Sequence, residues 1–366
     1  MNPRLALFVG LTLTLAGCSL SPTKSGDRSL ETVAEITETR PGNLTVTASG
    51  RIIITNHPLD APKLRVIELL PDGSVRPFPT LDWADGPDVG EVGIASTIGI
   101  GTSTRGVVWI LDMGDERVPP KLVGWDTIND RLHRTVPITP SALAATSFLQ
   151  DFAIDEKREK IYIADMTFPG PGQAAAPAFV VVDLKTGRCA RVLENAAALR
   201  PVAEDVVIDG SLVGGAPDTP HHLGVNPVAI DPSFEWVYFG TINGDDVFRI
   251  PAAALANPAV SDGEREKQIE RYAQKRPSDG IAVDDRGRVF ITDIEGSAVG
   301  ISTPSGYRVI AQDDVRLCWP DGFALGPDNA LYVTQNHLHG HPGLNEGVDE
   351  TVRPFHILRI PLGGLD

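Results

Sequence analysis

The sequence repeats one phrase. SDGIAVDDRGRVFITD occupies residues 278–293, and PDGFALGPDNALYVTQ, which has the same plan, occupies residues 320–335. Each copy has a short apolar run, a turn and a second apolar run that ends in a polar residue, a pattern typical of a β-hairpin. Internal repetition on this scale indicates a solenoid, a propeller or a related array. The repeat therefore restricts the fold more than any single motif does.

Six copies of this phrase follow one another. They lie at residues 42–56, 96–112, 150–165, 226–241, 279–293 and 321–335. Further strand-like pieces such as AFVVVDL and FHILRIP lie between them, and the helix candidates are short, AAALAN and DGEREKQIERYAQ. This pattern predicts an all-β chain folded as a six-bladed β-propeller. Because one clear strand follows the last hairpin, we expect residues 31–37 to supply the outer strand of the sixth blade.

The first residues resemble an export signal. A positive charge at Arg4 precedes an apolar run that is too short to span a membrane comfortably. The run ends in Leu-Ala-Gly-Cys, which resembles the lipobox of bacterial lipoproteins and implies that Cys18 carries a lipid. The Ser at the next position, in place of Asp, resembles the outer-membrane sorting signal.

These features divide the chain into three parts. Residues 1–18 are interpreted as a lipoprotein signal peptide, and residues 19–30, which lack apolar periodicity, as a flexible tether. Residues 31–366 then form one propeller domain. We expect a monomer, anchored to the bacterial cell envelope through Cys18 and facing the periplasm.

The net charge and the cysteine content restrict the classes of molecule that the chain is expected to bind. The formal net charge of −16 argues against nucleic acid and against an anionic membrane surface, since both require basic patches. It suits cations or neutral small molecules better. Apart from Cys18 the chain has Cys189 and Cys318, which we expect to be unpaired, and their spacing matches no zinc motif.

The repeat predicts where polar side chains meet. Inner strands of a propeller line its central channel, so their first residues converge at one mouth. These residues are Gly42, Ser96, Gln150, Asn226, Asp279 and Asp321. The antiparallel second strands return to the same side, and their last residues are Asn56, Asp112, Asp165, Thr241, Asp293 and Gln335.

Two interpretations of this polar ring stay open. Asp and Asn favour strand ends because their side chains bond nearby backbone, so the ring has a purely structural explanation. Alternatively, crowded carboxylates raise one another's pKa unless a cation neutralises them, and a set of Asn and Asp oxygens suits Ca²⁺. For a small-molecule ligand, the expected contacts are Gln150, Asp165, Asp293, Asp321, Gln335 and His337.

Familiar catalytic motifs do not occur in the sequence. It has no G-x-S-x-G elbow, no phosphate-binding glycine loop and no H-E-x-x-H, which argues against serine hydrolase, kinase and zincin chemistry. The stretch HLHGH, with His337, His339 and His341, follows the last hairpin and is expected over the same mouth. Loop histidines of this kind are more often surface residues or ligand contacts than metal ligands.

Several longer stretches resemble a known family. GVVWILDMGDE, SFLQDFAIDEKREKIYIADM and HLGVNPVAIDPSFEWVYFG, in this order, resemble the major royal jelly protein/yellow family in its bacterial form. The similarity runs from about residue 45 to the end. It implies a secreted six-bladed propeller whose axial pocket holds a small molecule; insect members bind amines or sterols, and some act on dopachrome.

The hairpins are also similar, more distantly, to the calcium-dependent gluconolactonase/senescence-marker propellers. This likeness implies Asn226 and Asp279 as metal ligands, with Gln150-Asp151 in place of a substrate-side Asn-Asp pair. Ser96 stands where those proteins have a Glu ligand, so Asp321 is expected to complete the calcium site.

Three functions follow from these resemblances. The first is binding of a small molecule at the axial mouth. The second is calcium-dependent hydrolysis of a lactone or ester, with the metal polarising the carbonyl and Asp279 or Asp151 acting as general base. The third is a structural or interaction role for the outer face of the propeller.

Overall fold

The computed structural model describes residues 28–87, 92–170, 173–216, 219–220 and 222–365. The expected signal peptide, the lipid site at Cys18 and most of the expected tether lie outside these residues. Within the described part of the chain, no helix is both long and apolar enough to cross a bilayer.

Six antiparallel four-stranded sheets form the blades. Strand β1 (Glu31–Ile36) comes first in the chain and belongs to the sixth blade. The first three blades contain β2 (Pro41–Val46), β3 (Ile52–Asn56), β4 (Val66–Leu69) and β5 (Val75–Pro77); β6 (Thr97–Thr102), β7 (Val107–Asp112), β8 (Lys121–Asp126) and β9 (Arg131–Pro137); and β10 (Leu149–Asp155), β11 (Lys160–Asp165), β12 (Ala178–Asp183) and β13 (Cys189–Val192).

Two small hairpins separate the third blade from the fourth. They are β14 (Val207–Ile208) with β15 (Ser211–Leu212), and β16 (Gly214–Ala216) with β17 (Thr219–Pro220). The last three blades contain β18 (Val225–Ile230), β19 (Trp236–Thr241), β20 (Asp246–Pro251) and β21 (Glu270–Gln274); β22 (Ile281–Val283), β23 (Val289–Asp293), β24 (Ala298–Thr303) and β25 (Gly306–Gln312); and β26 (Pro320–Leu325), β27 (Ala330–Gln335) and β28 (Phe355–Pro361), completed by β1.

The ring closes where the sequence predicted. Strand β1 pairs antiparallel with β28 as the outer strand of the sixth blade. The inner strands lie against one another in chain order, and β26 lies against β2. The six-bladed propeller and its closure by the segment before the first hairpin are confirmed.

The helices in the described residues are short. They are α1 (Leu81–Ala84), α2 (Ala252–Ala256) and α3 (Asp262–Glu266), with 3-10 turns at Pro58–Asp60, Pro140–Ala142, Ala197–Leu199 and Leu338–Gly340. The helix expected over DGEREKQIERYAQ is wrong in its second half. A capping box between Ser261 and Glu264 starts α3, but the last five residues form β21 instead, because pairing with β20 satisfies their backbone in the sheet.

Apolar runs in the blades bury both faces. In β11, Ile161 and Ile163 pack against the second blade, whereas Tyr162 and Ala164 pack against the fourth. Each blade is covered on both sides, so these strands are continuously apolar rather than alternating. One hydrophobic cluster fills each gap between adjacent blades, and a further cluster lies at one end of the ring.

Candidate functional site

Bulges in the inner strands orient side chains at the centre of the ring. The register shifts near the start of five inner strands, β2, β6, β10, β18 and β26. A bulge bends the strand locally and re-aims the side chain at that point. The shifts span Gln150, Asn226 and Asp321, which the sequence placed at the axial mouth.

The glycine after each repeated aspartate permits neighbouring blades to approach. A Cβ on Gly280 would lie 2.2 Å from the carbonyl oxygen of Asp321, and one on Gly322 would lie 2.0 Å from Oδ1 of Asn43. No side chain fits at these distances. The Asp-Gly pair of the repeated phrase therefore joins a buried carboxylate to the close contact between inner strands.

A polar network, here called the axial cluster, consists of Asn43, Asp151, Asn226, Asp279 and Asp321. Asn226 Nδ2 donates to Asp279 Oδ1 at 2.6 Å, and Trp319 Nε1 donates to Asp279 Oδ2 at 2.9 Å. Asp151 Oδ1 accepts from the Phe152 amide at 2.8 Å. Asp321 accepts from Nδ2 of Asn336. Each carboxylate of the axial cluster thus has a donor within the protein.

Burial raises the pKa of all three carboxyls of the axial cluster. The pKa of Asp151 rises to about 7, chiefly by desolvation, and the nearby Asp279 adds to it. Desolvation and Asp279 hold the pKa of Asp321 well above its ordinary value. The pKa of Asp279 also rises by burial, although its bonds to Trp319 and Asn226 oppose the shift. The cluster therefore retains protons that a solvated set of carboxylates would lose.

One atom of the axial cluster is a suitable ligand for a hard cation. Oδ1 of Asn226 is buried without a hydrogen-bond partner, and the same amide group donates to Asp279, whose carboxyl has a pKa raised by burial. Asp279 in turn helps to raise the pKa of the nearby Asp321. Amide and carboxylate oxygens are the ligands that Ca²⁺ prefers. Asn226, Asp279 and Asp321 are the residues that would hold such an ion.

The ends of the second strands do not reach the axial pocket. The side chains of Asp165, Asp293 and Gln335, expected as ligand contacts, bond within their own blades. Their partners include the Phe148 amide, the Gly296 amide and the Cys318 carbonyl, respectively. These bonds tie each strand end to an adjoining loop, and none of the three residues lines the axial pocket.

A pocket of about 320 Å³, the axial pocket, lies over one side of the axial cluster. Its polar lining residues are His57, Ser96, Gln150, Asn243 and Asp279. Large apolar side chains form most of the wall, among them Met113, Phe148, Met166, Phe168, Trp319 and Leu344. Oε1 of Gln150 is buried and has no hydrogen-bond partner. The pocket therefore combines an apolar wall with a free acceptor.

Part of the apolar wall comes from two loops whose apolar residues the sequence analysis did not single out. Val206, Val213 and Leu223 lie between the third and fourth blades, and Leu338 and Leu344 lie between β27 and β28. These connections carry no repeated phrase and no periodicity. Their length and their scattered apolar residues were the only signal available.

Asp151 lines a cavity at the opposite end of the channel. A cavity of about 410 Å³ at that end is lined by Asp151 together with Asn43, whereas Gln150 and Asp279 line the axial pocket. Successive residues of a strand point in opposite directions. The two residues expected as one substrate-side pair, Gln150 and Asp151, therefore serve different cavities.

His337 lies away from the axial pocket. Together with His339 it lines a separate cavity of about 230 Å³, which also contains Asp209 and Glu350. Burial lowers the pKa of both imidazoles, that of His339 to about 4, so both are neutral at pH 7. The neighbouring Cys318 is buried and, like Cys189, unpaired, as expected.

Comparison with known proteins supports the fold. The sequence profile of the major royal jelly protein family matches residues 95–353. A search of curated proteins finds no match. Similar solved structures include a gluconolactonase from Xanthomonas campestris, with 13% identity and a TM-score of 0.55 over 92% of this chain and 91% of that one. At this level of identity, structural likeness shows the fold alone.

Two further solved structures have the same architecture. A luciferin-regenerating enzyme has 12% identity and a TM-score of 0.55 over 92% of this chain and 96% of that one. A calcium-binding protein, regucalcin, from Agrobacterium tumefaciens has 14% identity and a TM-score of 0.54 over 92% of this chain and 94% of that one.

Proposed function

The chain belongs to the major royal jelly protein family, and from this premise we propose that it binds a small molecule in the axial pocket. The pocket volume of about 320 Å³ falls within the range of small-molecule sites. Its wall is mainly apolar, and its few polar residues include Asp279 of the axial cluster and Gln150, the neighbour of Asp151 in the chain. This division favours a ligand with an apolar body and one polar end.

The main support for this proposal is Oε1 of Gln150, a buried acceptor without a hydrogen-bond partner. A buried oxygen without a donor costs about 1–3 kcal/mol, which a ligand that supplies a hydrogen would recover. The carboxyl group of Asp279 lines the same pocket. A ligand with an amine or hydroxyl donor at its polar end fits these acceptors, and an anionic ligand does not.

Thermal shift assays test this function. A panel of aromatic and aliphatic amines, neutral alcohols, sugars and carboxylates is added to the full chain, and the shift in melting temperature is measured. We expect apolar amines or alcohols to stabilise the protein and carboxylates to have no effect. Gln150→Leu should weaken the response, whereas Thr104→Ala, at the opposite cavity, should not. The same shift in both variants, or none with any donor-bearing compound, would refute the proposal.

Calcium-dependent hydrolysis of a lactone is the second candidate. The buried, unpaired Oδ1 of Asn226 supports it, since the Asn226 side chain contacts Asp279, whose carboxyl has a pKa raised by burial. When bound there, Ca²⁺ would polarise a carbonyl group. Asp279 lines the axial pocket and is the candidate to accept a proton from water. Asp151 is less suitable for this pocket because it opens to the opposite cavity.

A panel of aldonolactones and aryl esters distinguishes the two candidates. Turnover is measured with calcium and with a chelator, in the wild type and in Asp279→Ala. Calcium-dependent turnover that is lost in the variant would establish hydrolysis. Thermal stabilisation by a ligand without turnover of any substrate would leave binding as the function.

We also propose that Cys18 anchors the protein to the bacterial envelope, with the propeller facing the periplasm. The position of β1 as the outer strand of the sixth blade, with an exposed face, is compatible with an anchor that precedes it in the chain. Replacing Cys18 with Ser should abolish incorporation of radiolabelled lipid and release the protein from membranes. Unchanged membrane association in this variant would contradict the anchor.

A further inference from the structure

Three metal-ligating side chains meet beside the sixth blade. Cys318 precedes β26, and His337 and His339 follow β27. The two strands are antiparallel neighbours, so the residue before one lies beside the residues after the other. The sulfur of Cys318 and one nitrogen of each imidazole lie within 4.8 Å of one another. In the described part of the chain, this is the one trio of His, Cys, Asp or Glu ligand atoms within that distance.

The imidazoles of this trio, here called the rim cluster, have unused nitrogens. Nδ1 of His337 and Nδ1 of His339 are buried without hydrogen-bond partners. Nε2 of His339 lies 3.9 Å from Sγ of Cys318, farther than a strong hydrogen bond. Polar atoms buried without partners are rare in native proteins and call for a ligand or ion. A metal ion held by the three side chains would bond one nitrogen of each imidazole, and on His339 the nitrogen that faces Sγ of Cys318 is Nε2.

The surrounding backbone holds the rim cluster in place. His337 has a left-handed conformation with φ 50°, which is uncommon for a residue with a side chain. A Cβ on Gly340 would lie 2.5 Å from Nδ1 of His337, so the glycine leaves room for the ring. The indole of Trp319 stacks on His339, with ring centroids 5.9 Å apart and an angle of 13°. The Cys318 carbonyl accepts from Nε2 of Gln335 at 2.8 Å.

One side of the rim cluster is open to a polar cavity. The cavity of about 230 Å³ that His337 and His339 line also contains Asp209, Ser211, Asn345 and Glu350. Metal sites with a catalytic role usually have three protein ligands and an open position for water or substrate, whereas structural zinc sites have four protein ligands. The rim cluster follows the first pattern.

We propose that Cys318, His337 and His339 bind a transition-metal ion of the zinc type, with a coordination position left open toward this cavity. Thiolate and imidazole ligands favour such borderline-soft ions over calcium or magnesium. On binding, the Cys318 thiol releases its proton to solvent and the sulfur coordinates as thiolate. This site is separate from the axial pocket and does not depend on its function.

Cobalt is the probe for this site, because its absorption spectrum reports both sulfur ligation and geometry. The full chain, purified without a polyhistidine tag, is titrated with Co²⁺ at neutral pH. We expect one ion per chain, a sulfur-to-cobalt charge-transfer band and the visible absorption of tetrahedral cobalt. Zn²⁺ should displace the cobalt and remove both signals.

Variants assign the ligands. Cys318→Ser should remove the charge-transfer band, and both it and His339→Gln should weaken binding by more than about tenfold, the least that loss of a supporting residue costs. Cys189→Ser and Cys18→Ser, which alter the other two cysteines in the sequence, are matched controls and should bind as the wild type does. Near-ultraviolet circular dichroism confirms that each variant is folded.

A spectrum of octahedral cobalt without a sulfur band would overturn the proposal. So would equal affinity in Cys318→Ser and Cys189→Ser. If Cys318→Ser does not fold, His339→Gln decides: because His339 is only partly buried, this variant should fold, and unchanged cobalt binding in it would be equally decisive against the site.

Discussion

The axial cluster and the rim cluster lie close together, but they differ in how their polar atoms are satisfied. In the axial cluster, Asp279 accepts hydrogen bonds on both carboxylate oxygens. In the rim cluster, both Nδ1 atoms of the histidines are buried without a partner. The axial cluster thus satisfies its carboxylates within the protein and leaves the amide oxygen of Asn226 unpaired, whereas the rim cluster leaves one nitrogen of each imidazole unpaired. Trp319 joins them, since it donates to Asp279 and stacks on His339.

Their origins differ as well. The axial cluster comes from a phrase that the chain repeats in each blade, with bulges that turn side chains toward the centre. The rim cluster comes from two loop segments that occur once. A repeated element has to serve the ring as a whole, and a unique element is free to acquire a local chemical role. The following predictions test this contrast, from the largest effect to the smallest.

Removal of the Asp279 carboxylate should cause the largest loss of stability. Asp279→Ala leaves two buried donors, on Asn226 and Trp319, without an acceptor. At about 1–3 kcal/mol for each donor, the free energy of unfolding should fall by roughly 2–6 kcal/mol. Urea denaturation in the presence of a chelator measures it. Cys318→Ala, the comparison variant in the rim cluster, should cost about 1 kcal/mol; equal losses would remove the contrast.

Asp151→Asn should stabilise the protein at high pH. The folded state holds the Asp151 proton up to a pKa of about 7, so wild-type stability declines as pH rises from the unfolded value toward 7. The variant lacks this decline. Relative to the wild type, it should gain about 3 kcal/mol between pH 5 and pH 8. The groups around Asp151 are Asn43, the Phe152 amide and the carboxyl groups of Asp279 and Asp321.

Urea denaturation at the two pH values, with a chelator present, checks this effect. A gain that is the same at pH 5 and pH 8 would show that Asp151 is ionised throughout, and hence that the axial cluster is more polar than its burial indicates.

Gly340→Ala should weaken metal binding at the rim. The added Cβ would lie 2.5 Å from Nδ1 of His337 and 2.8 Å from the Glu350 carbonyl, so the ring must move. We expect about a tenfold loss of cobalt affinity, measured by competition with a chelator. Gly363→Ala is the control, because a Cβ there meets nothing. Equal affinity in the two variants would contradict the geometry of the rim cluster.

Gln150→Leu should raise the stability slightly. It replaces a buried acceptor that has no partner with an apolar side chain of similar size. The melting temperature should rise by an amount that corresponds to about 1 kcal/mol, while donor-bearing ligands lose affinity for the axial pocket. Destabilisation would mean that Gln150 is needed for the structure rather than for a ligand.

The sequence predicted the ring well because the ring is repetitive. The expected ends of all six second strands, including Asp112, Asp165 and Gln335, coincide with the observed ends of β7, β11 and β27. In each of the six repeated hairpins, one residue of the turn has a positive φ; these residues are Gly50, Gly106, Glu159, Phe234, Gly287 and Asn329. Local chemistry repeated six times gives a signal that one copy alone would not give.

The site was harder to predict because it depends on the orientation of individual side chains and on residues in loops. Asp165 and Asp293 are at the predicted strand ends, but their carboxylates turn to backbone amides of adjoining loops. Sequence spacing gives the position of a residue and not which of its neighbours offers a hydrogen bond. The loop residues Phe168 and Leu344 line the axial pocket without any pattern around them. Only the folded chain brings them together.

The pairing of β1 with β28 has a consequence for the order of events during synthesis. Strand β1 leaves the ribosome before any blade exists, yet its partner comes from residues 355–361, near the end of the sequence. Among the strands in the described residues, the first to be made is therefore the last to find its partner. Until then the nascent chain carries unpaired edges at both ends of an open arc, which is the stage at which such chains associate wrongly. A chain whose synthesis stops before Phe355 lacks β28, so β1 has no partner and the ring cannot close.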